Sequence, residues 1–270
     1  MLIFAFIVEI LFAISFPIAL GWWIQRRWQT SWKLFLVGAA TFIASQVVHI
    51  PLNLGLTEAF NAGWLPRPPA SWRVLFNSFL LGLTAGLCEE PARYIAYRWV
   101  LRRVRTWREA LMFGAGHGGV EAILLVGVLV PLTFMSMVFL RGMDIDALGL
   151  PPEQAALVQE QVDAYWGQPW YNPLLGAVER LFAIIFHLGM AVLVLQAVVR
   201  ERLHYLLIAI VLHTLTNAVA VFTMQSGWNL FAVEGLVGLF ALLGLGIILY
   251  YRPQTAPTLF ANQGEGQHRD

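Results

Sequence analysis

Four long apolar segments of the sequence carry ionisable side chains in their interior. One of them contains Glu89, Glu90 and Arg93 in the string Cys-Glu-Glu-Pro-Ala-Arg. The other three contribute His117 and Glu121, then Glu179, Arg180 and His187, and finally His213 with Asn217. An ionisable group inside a bilayer costs roughly a few kcal/mol, so these residues predict a functional site if their segments span a membrane.

These side chains fall at similar depths along their segments. At 1.5 Å per residue, counted from the arginines at the segment ends, the glutamate pair lies roughly 12–18 Å in, His117 about 14 Å and His213 about 16 Å. His187 and Glu121 lie at about 20 Å on the same count. Unrelated polar residues would scatter in depth, so the shared layer predicts one polar cavity in the inner half of the membrane.

Local spacing supports a shared cavity. His117 and Glu121 are four residues apart and therefore lie on one helix face, as do His213 and Asn217. Glycines surround His117 at positions 114, 116, 118 and 119, which permits close approach of a neighbouring helix or of a substrate backbone. Pro91 follows the glutamate pair and frees a carbonyl group in the same layer.

This combination of residues could hydrolyse an amide in either of two ways. Imidazoles and a carboxylate on facing helices can ligate a divalent metal such as zinc and leave one position open for water. The candidate ligands are His117, Glu121, His187 and His213. Alternatively, a glutamate can act as general base on water while histidine and asparagine stabilise the oxyanion. The candidate catalytic residues are Glu89, Glu90, His117, His213 and Asn217, with Arg93, Glu121, Glu179 and His187 in supporting roles.

Other functions would also explain these residues. Chains of glutamate and histidine serve as proton relays, so a proton- or ion-coupled transporter is the alternative, although the chain has no visible internal repeat. A non-catalytic scaffold that binds a partner helix is a third reading. Some polar residues need no chemical role: Arg180 can pair with Glu179, Cys88 can pack as an apolar residue, and His49 is predicted to lie at the outer membrane interface.

The composition indicates an integral membrane protein. Of 270 residues, 59% are hydrophobic and only 12% charged, whereas about 25% are charged in soluble domains. The net charge of +1 gives no basic field that would attract nucleic acid. A single cysteine, Cys88, excludes an intrachain disulfide.

Seven apolar segments are long enough to span a bilayer, which takes about 20 residues. They cover residues 1–24, 32–54, 72–101, 110–140, 173–199, 205–224 and 228–251. Arginines concentrate in every second connection, so the positive-inside rule predicts an outside N-terminus and a cytoplasmic C-terminus. The first segment lacks a basic start and a cleavage site, and is predicted to be a retained helix.

The predicted architecture is an all-α polytopic bundle that forms one transmembrane domain over residues 1–252. Residues 141–172 contain Pro-Pro and several acidic residues, and are predicted to form an extracytoplasmic loop with a short amphipathic helix. The polar tail at 253–270 is predicted to be disordered.

Three motifs resemble the CAAX protease and bacteriocin-processing superfamily. Glu89-Glu90-Pro-Ala-Arg93 is similar to its Glu-Glu-x-x-x-Arg motif with one residue fewer, Phe113-Gly-Ala-Gly-His117 to Phe-x-x-x-His, and His213-Thr-Leu-Thr-Asn217 to His-x-x-x-Asn. The additional Glu121, Glu179-Arg180 and His187 resemble the YhfC-type branch of intramembrane metalloproteases. The resemblance covers residues 86–221.

The resemblance implies an endopeptidase embedded in a bacterial or archaeal cell membrane. One glutamate of the pair would activate water, and His117, His213 and Asn217 would bind a metal or stabilise the oxyanion. Zinc is the expected cofactor, and the expected partners are membrane lipid and a membrane-associated protein or peptide substrate.

Overall fold

The computed structural model describes residues 1–253, and this part of the chain contains helices and no strand. The helices are α1 (Leu2–Trp28), α2 (Trp32–Asn61), α3 (Arg73–Ile95), α4 (Trp107–Ala122), α5 (Leu129–Arg141), α6 (Pro152–Gly167), α7 (Asn172–Val199), α8 (His204–Gln225) and α9 (Leu230–Tyr250). The predicted disorder of the tail concerns residues that lie, apart from Pro253, outside the described part.

Local sequence signals set the starts of several helices. The Ser31 hydroxyl accepts a hydrogen bond from the Lys33 amide at 3.2 Å and caps α2. Thr106 and Glu109 form a reciprocal capping box at the start of α4. These caps satisfy amide groups that have no partner within the helix, and they place the helix starts close to the predicted segment boundaries.

Six helices of the described chain are long and apolar enough to cross a membrane. They match six of the seven predicted segments. The fourth predicted segment, 110–140, lies in a continuous helix from Trp107 to Arg141 that joins α4 and α5 through a π-helical turn at Ile123–Val128. The third predicted span contains α3 and is not among the six, and α3 carries Glu89, Glu90 and Arg93. The count of seven spans and the orientation of the termini therefore stay predictions.

The outer surface of the bundle is apolar. Large side chains such as Phe4, Leu132 and Leu242 are 64%, 58% and 63% exposed. Lipid is the solvent that accepts such a surface, since soluble monomers rarely expose large apolar patches. The chain is an integral membrane protein.

Helix α4 lies at the centre of the bundle, between α2, α7 and α1, while α3 packs along α8. Close approach of α2 and α4 depends on a glycine. A Cβ atom at Gly116 would lie 1.9 Å from the Phe35 carbonyl oxygen, so no larger residue fits there without moving a backbone. This contact brings α2 against the helix that carries His117.

The predicted loop at 141–172 contains the helix α6, which packs against α5. Its buried residues Ala155 and Val162 are seven apart and therefore lie on one face. The side of the membrane on which α6 lies stays a prediction.

Candidate active site

Three side chains from three helices form the centre of the site. Glu89 of α3, His117 of α4 and His187 of α7 each offer a ligand atom, and these atoms lie within 4.8 Å of one another. All three residues are buried, with exposures of 5%, 0% and 4%. The His117 Nε2 atom is 3.1 Å from Glu89 Oε2. We call Glu89, His117 and His187 the ligand group.

The second glutamate belongs to a different set of contacts. Glu90 Oε1 accepts hydrogen bonds from Arg93 Nη1 at 2.6 Å and from the Nδ1 side of His213 at 2.6 Å. Glu90 Oε2 is buried and has no hydrogen-bond partner in the described part of the chain. Adjacent glutamates on one helix thus point to different neighbours, because successive residues are rotated by about 100°.

Arg93 joins these two sets of contacts. Its Nη2 atom lies 2.6 Å from His187 Nδ1 and 3.6 Å from Glu89 Oε2, while Nη1 binds Glu90. A guanidinium group only donates, so Nδ1 of His187 accepts and its Nε2 carries the proton. That Nε2 atom contacts Glu121 Oε2. Both ring nitrogens of His187 therefore have partners, so His187 can bind a metal ion only if one of these two contacts is broken.

His213 lies beside the ligand group. Its Nδ1 binds Glu90, and its Nε2 is 3.8 Å from Glu89 Oε2, which is longer than a hydrogen bond. A water molecule or a substrate atom could bridge His213 Nε2 and Glu89 Oε2 across this distance.

Small residues and aromatic rings hold the imidazoles in place. A Cβ atom at Gly118 would lie 2.9 Å from the Cβ of His187, so the bare glycine face of α4 lets α7 approach. The rings of Phe42 and His117 meet edge to face, with centroids 5.4 Å apart. Packing therefore fixes the two imidazoles on this side of the site.

The structure brings together some predicted ligands and not others. His117 and His187, both candidate metal ligands, lie in the ligand group, and its third member is Glu89, which the sequence indicates as a catalytic candidate and not as a metal ligand. Glu121 lies one contact further out, because its carboxylate binds His187 and also Arg180 at 3.3 Å.

Among the other predicted site residues, His213 lies beside the ligand group and not within it, with Nε2 3.8 Å from Glu89 Oε2 and Nδ1 on Glu90. Asn217 is half-buried one turn further along α8 and makes no hydrogen bond to another described residue. Glu179 contacts Arg180, which in turn binds Glu121.

Sequence reasoning missed a group of neutral polar residues on α2. Gln46 Nε2 donates to Glu89 Oε1 at 3.3 Å, and Gln46 Oε1 is 3.2 Å from His49 Nδ1. The His49 Nε2 atom is 2.9 Å from Asn53 Nδ2 and 3.2 Å from Thr84 Oγ1. The spacing of 46, 49 and 53 places these residues on one helix face, which is the signal that could have found them.

The structure gives His49 more polar contacts than an interfacial residue needs, while its depth in the membrane stays a prediction. Helix α2 continues to Asn61, beyond the predicted end at residue 54, so His49 lies about three turns before the helix end. Its hydrogen bonds connect it to the site. Glu9 was also overlooked, and it is buried on α1 with 6% exposure.

The residues present fit a divalent metal. One carboxylate and two imidazoles correspond to the two-histidine, one-glutamate donor set of catalytic zinc sites. The His117 Nδ1 atom is buried and has no hydrogen-bond partner within residues 1–253, and such an atom is rarely left without one. The contact of His187 Nε2 with the Glu121 carboxylate is of the kind that orients metal-binding histidines, and Nδ1 would bind the ion in place of its contact with Arg93.

Comparison with known proteins agrees with this geometry. A family model described as YhfC intramembrane metalloprotease matches residues 11–238. A protein of Bacillus subtilis (strain 168) described as uncharacterized membrane protein YhfC is 34% identical over 207 residues, which cover 74% of this chain and 78% of that relative. No solved structure matches. Placement in the CAAX protease and bacteriocin-processing superfamily stays a prediction. With most of its length matched by the model and by this relative, the chain belongs to the YhfC family.

Proposed function

We propose that this protein is an intramembrane peptidase that hydrolyses a peptide bond with a water molecule activated inside its Glu/His site. The observation that carries the proposal is the ligand group, whose three donor atoms come from separate helices and lie within 4.8 Å of one another in a buried position. The substrate is a membrane-associated protein or peptide, since the site lies inside a lipid-facing bundle.

Glu89, His117 and His187 are the residues that would hold a divalent ion, with zinc as the expected metal. When bound, such an ion polarises a carbonyl group and makes water a stronger nucleophile. Because Glu89 belongs to this group, Glu90 is the glutamate available for proton transfer.

His213 is the residue positioned to move the proton. Glu90 Oε1 accepts the Nδ1 proton of His213, which fixes the ring and leaves the lone pair on Nε2. Nε2 takes a proton from water as the water oxygen attacks the carbonyl carbon. The same proton passes to the amine nitrogen as the carbon–nitrogen bond breaks. Glu90 thus activates water by acting through His213.

Asn217 and Arg93 complete the arrangement. The Asn217 amide has no partner among the described residues, and it donates to the carbonyl oxygen that becomes negative during attack. Arg93 donates to Glu90 at 2.6 Å and lies 3.6 Å from Glu89 Oε2, so it holds the glutamate that serves proton transfer close to the ligand group.

Metal content and cleavage, measured on the same preparations, test the proposal. We expect purified wild-type protein to bind a divalent metal and to cleave members of a library of membrane-embedded peptides. His117→Ala should lose both properties. His213→Ala should keep the metal and lose cleavage, because His213 lies outside the ligand group. His204→Ala, an exposed histidine at the start of α8, is the matched control and should keep both.

Retention of the metal by His117→Ala would contradict the ligand assignment. Full cleavage by His213→Ala would contradict the proton-transfer role. Ion flux in reconstituted vesicles that depends on Glu90, without any cleavage, would support a transporter instead.

A further inference from the structure

A cavity of about 340 Å³ lies between α2, α3 and the end of α8, beside the 62–72 connection. Its walls include Leu56, Phe60 and Phe76, and its inner end includes Asn53. The arginine-rich connection between α3 and α4 is at the other end of α3. The cavity therefore opens on the membrane face opposite those arginines.

The inner end of the cavity is connected to the ligand group by hydrogen bonds. Asn53 donates to His49 Nε2, His49 Nδ1 donates to Gln46, and Gln46 donates to Glu89 Oε1, at 2.9, 3.2 and 3.3 Å. Each donor in this direction has a matching acceptor, so the chain is consistent with a single tautomer of His49. Polar contacts thus run without interruption from the cavity to Glu89.

The charge on the cavity walls has one sign. Its described lining contains Arg67 and Arg73 and no acidic residue. Arg67 is fixed by hydrogen bonds to the Phe60 carbonyl and to Asn61 Oδ1, both at 3.1 Å, and keeps other N–H groups free for a ligand. Arg73 makes no hydrogen bond or ion pair to another described residue, and it begins α3, where the helix dipole favours an anion.

We propose that this cavity binds the part of the substrate peptide that flanks the cleaved bond, and that it recognises an apolar peptide carrying a carboxylate. The inference rests on the proposed peptidase function. The apolar walls receive the side chains, the two arginines bind the carboxylate, and Asn53 meets the peptide backbone. A lipid headgroup would explain the arginines but not the hydrogen-bonded connection to Glu89.

Protection of an introduced thiol tests the binding directly. Cys88→Ser removes the native cysteine, Asn77→Cys places a thiol in the cavity wall, and Glu89→Gln prevents turnover. The protein is placed in phosphatidylcholine nanodiscs and labelled with a maleimide. The probes are acetyl-Leu-Leu-Phe-Leu with a free carboxylate and the same peptide as its amide.

We expect the carboxylate peptide to bind about fivefold more tightly than the amide, as an exposed ion pair would give, and to slow labelling accordingly. Arg73→Gln should reduce this difference and Arg67→Gln combined with Arg73→Gln should remove it, while Arg98→Gln, just beyond the far end of α3, should keep it. Leu75→Cys, a lipid-facing position on the same helix, should label at one rate with either peptide.

Three results would overturn the proposal: no protection by either peptide, equal protection by both, or protection by phosphatidylglycerol in the nanodisc without peptide. The last would assign the cavity to an anionic lipid. Labelling requires neither a metal nor cleavage, so these results are distinguishable from failure of the proposed enzyme reaction.

Discussion

The two sides of the ligand group are built from different interactions. On the α2 side, Gln46 donates to Glu89, and hydrogen bonds between the uncharged side chains of Gln46, His49 and Asn53 lead on to an open cavity. On the α7 side, Glu121 contacts His187 and forms an ion pair with Arg180.

The two kinds of interaction suit two roles, which are substrate access on the α2 side and positioning of His187 on the α7 side. Neutral hydrogen bonds contribute about 0.5–1.5 kcal/mol each and can exchange with water or a peptide backbone. A buried ion pair is costly to break, because the remaining charge has no partner in a medium of low dielectric constant. The α2 side can therefore open towards a substrate, whereas the α7 side keeps the imidazole of His187 in place.

The largest effect is expected from Arg180→Met. Loss of the guanidinium leaves Glu121 and Glu179 without their positive partner, and breaking a buried pair costs about 3–5 kcal/mol. The free energy of unfolding in detergent measures this loss. Arg67→Met, at the exposed cavity mouth, is the control and should change stability by less than about 1 kcal/mol. Equal losses would remove the distinction between the two sides.

Glu121→Gln should weaken metal binding about 10- to 100-fold, as is usual when the outer partner of a metal-binding histidine is changed. The substitution keeps the shape of the side chain but removes the negative charge next to His187 Nε2. Metal titration of the purified protein provides the measurement. Glu153→Gln, an exposed acid on α6, should bind the metal as wild type does.

Gln46→Met should slow cleavage about fivefold and weaken metal binding by a similar factor, since one hydrogen bond of about 1 kcal/mol orients Glu89, which belongs to the ligand group. The relevant measurements are kcat and KM on a cleaved peptide. Gln46→Glu keeps a polar side chain of similar size but puts a carboxylate against Glu89, so it should be worse than Met. Wild-type kcat in both variants would mean that Gln46 does not position Glu89.

The smallest effect is expected from Thr84→Val. The Thr84 hydroxyl donates to Asn53 Oδ1 at 3.0 Å, and it therefore supports the chain of hydrogen bonds at Asn53, the residue of the chain farthest from Glu89. The cleavage rate should fall less than about threefold, and the free energy of unfolding should change by no more than about 1 kcal/mol. A loss larger than that of Gln46→Met would mean that the route to Glu89 passes through Thr84 and not through His49.

Much of the site could be predicted because its residues violate the apolar pattern of their helices. Glu89, His117, His187 and His213 stand out in segments where ionisable groups are costly. Which of Glu89 and Glu90 belongs to the ligand group could not be predicted, because nothing in the sequence distinguishes two adjacent glutamates. Only packing decides that Glu89 faces His117 while Glu90 faces Arg93 and His213.

The α2 residues escaped prediction for a different reason. Gln46, Asn53 and Thr84 are uncharged, and such residues are common in membrane helices as ordinary packing groups. Helix α3 shows the converse: its charges place it outside the helices that hydropathy selects, yet it supplies Glu89, Glu90 and Arg93. Hydropathy is thus least informative for the helix that carries the most chemistry.

Arg93 has a consequence for how the protein can vary. One planar side chain lies 2.6 Å from Glu90 and 3.6 Å from Glu89, so both metal affinity and proton transfer depend on Arg93. Lysine, a point charge on a flexible stem, cannot keep both contacts in fixed directions. Variants at position 93 should lose the two properties together, and neither property can be adjusted there while the other is preserved.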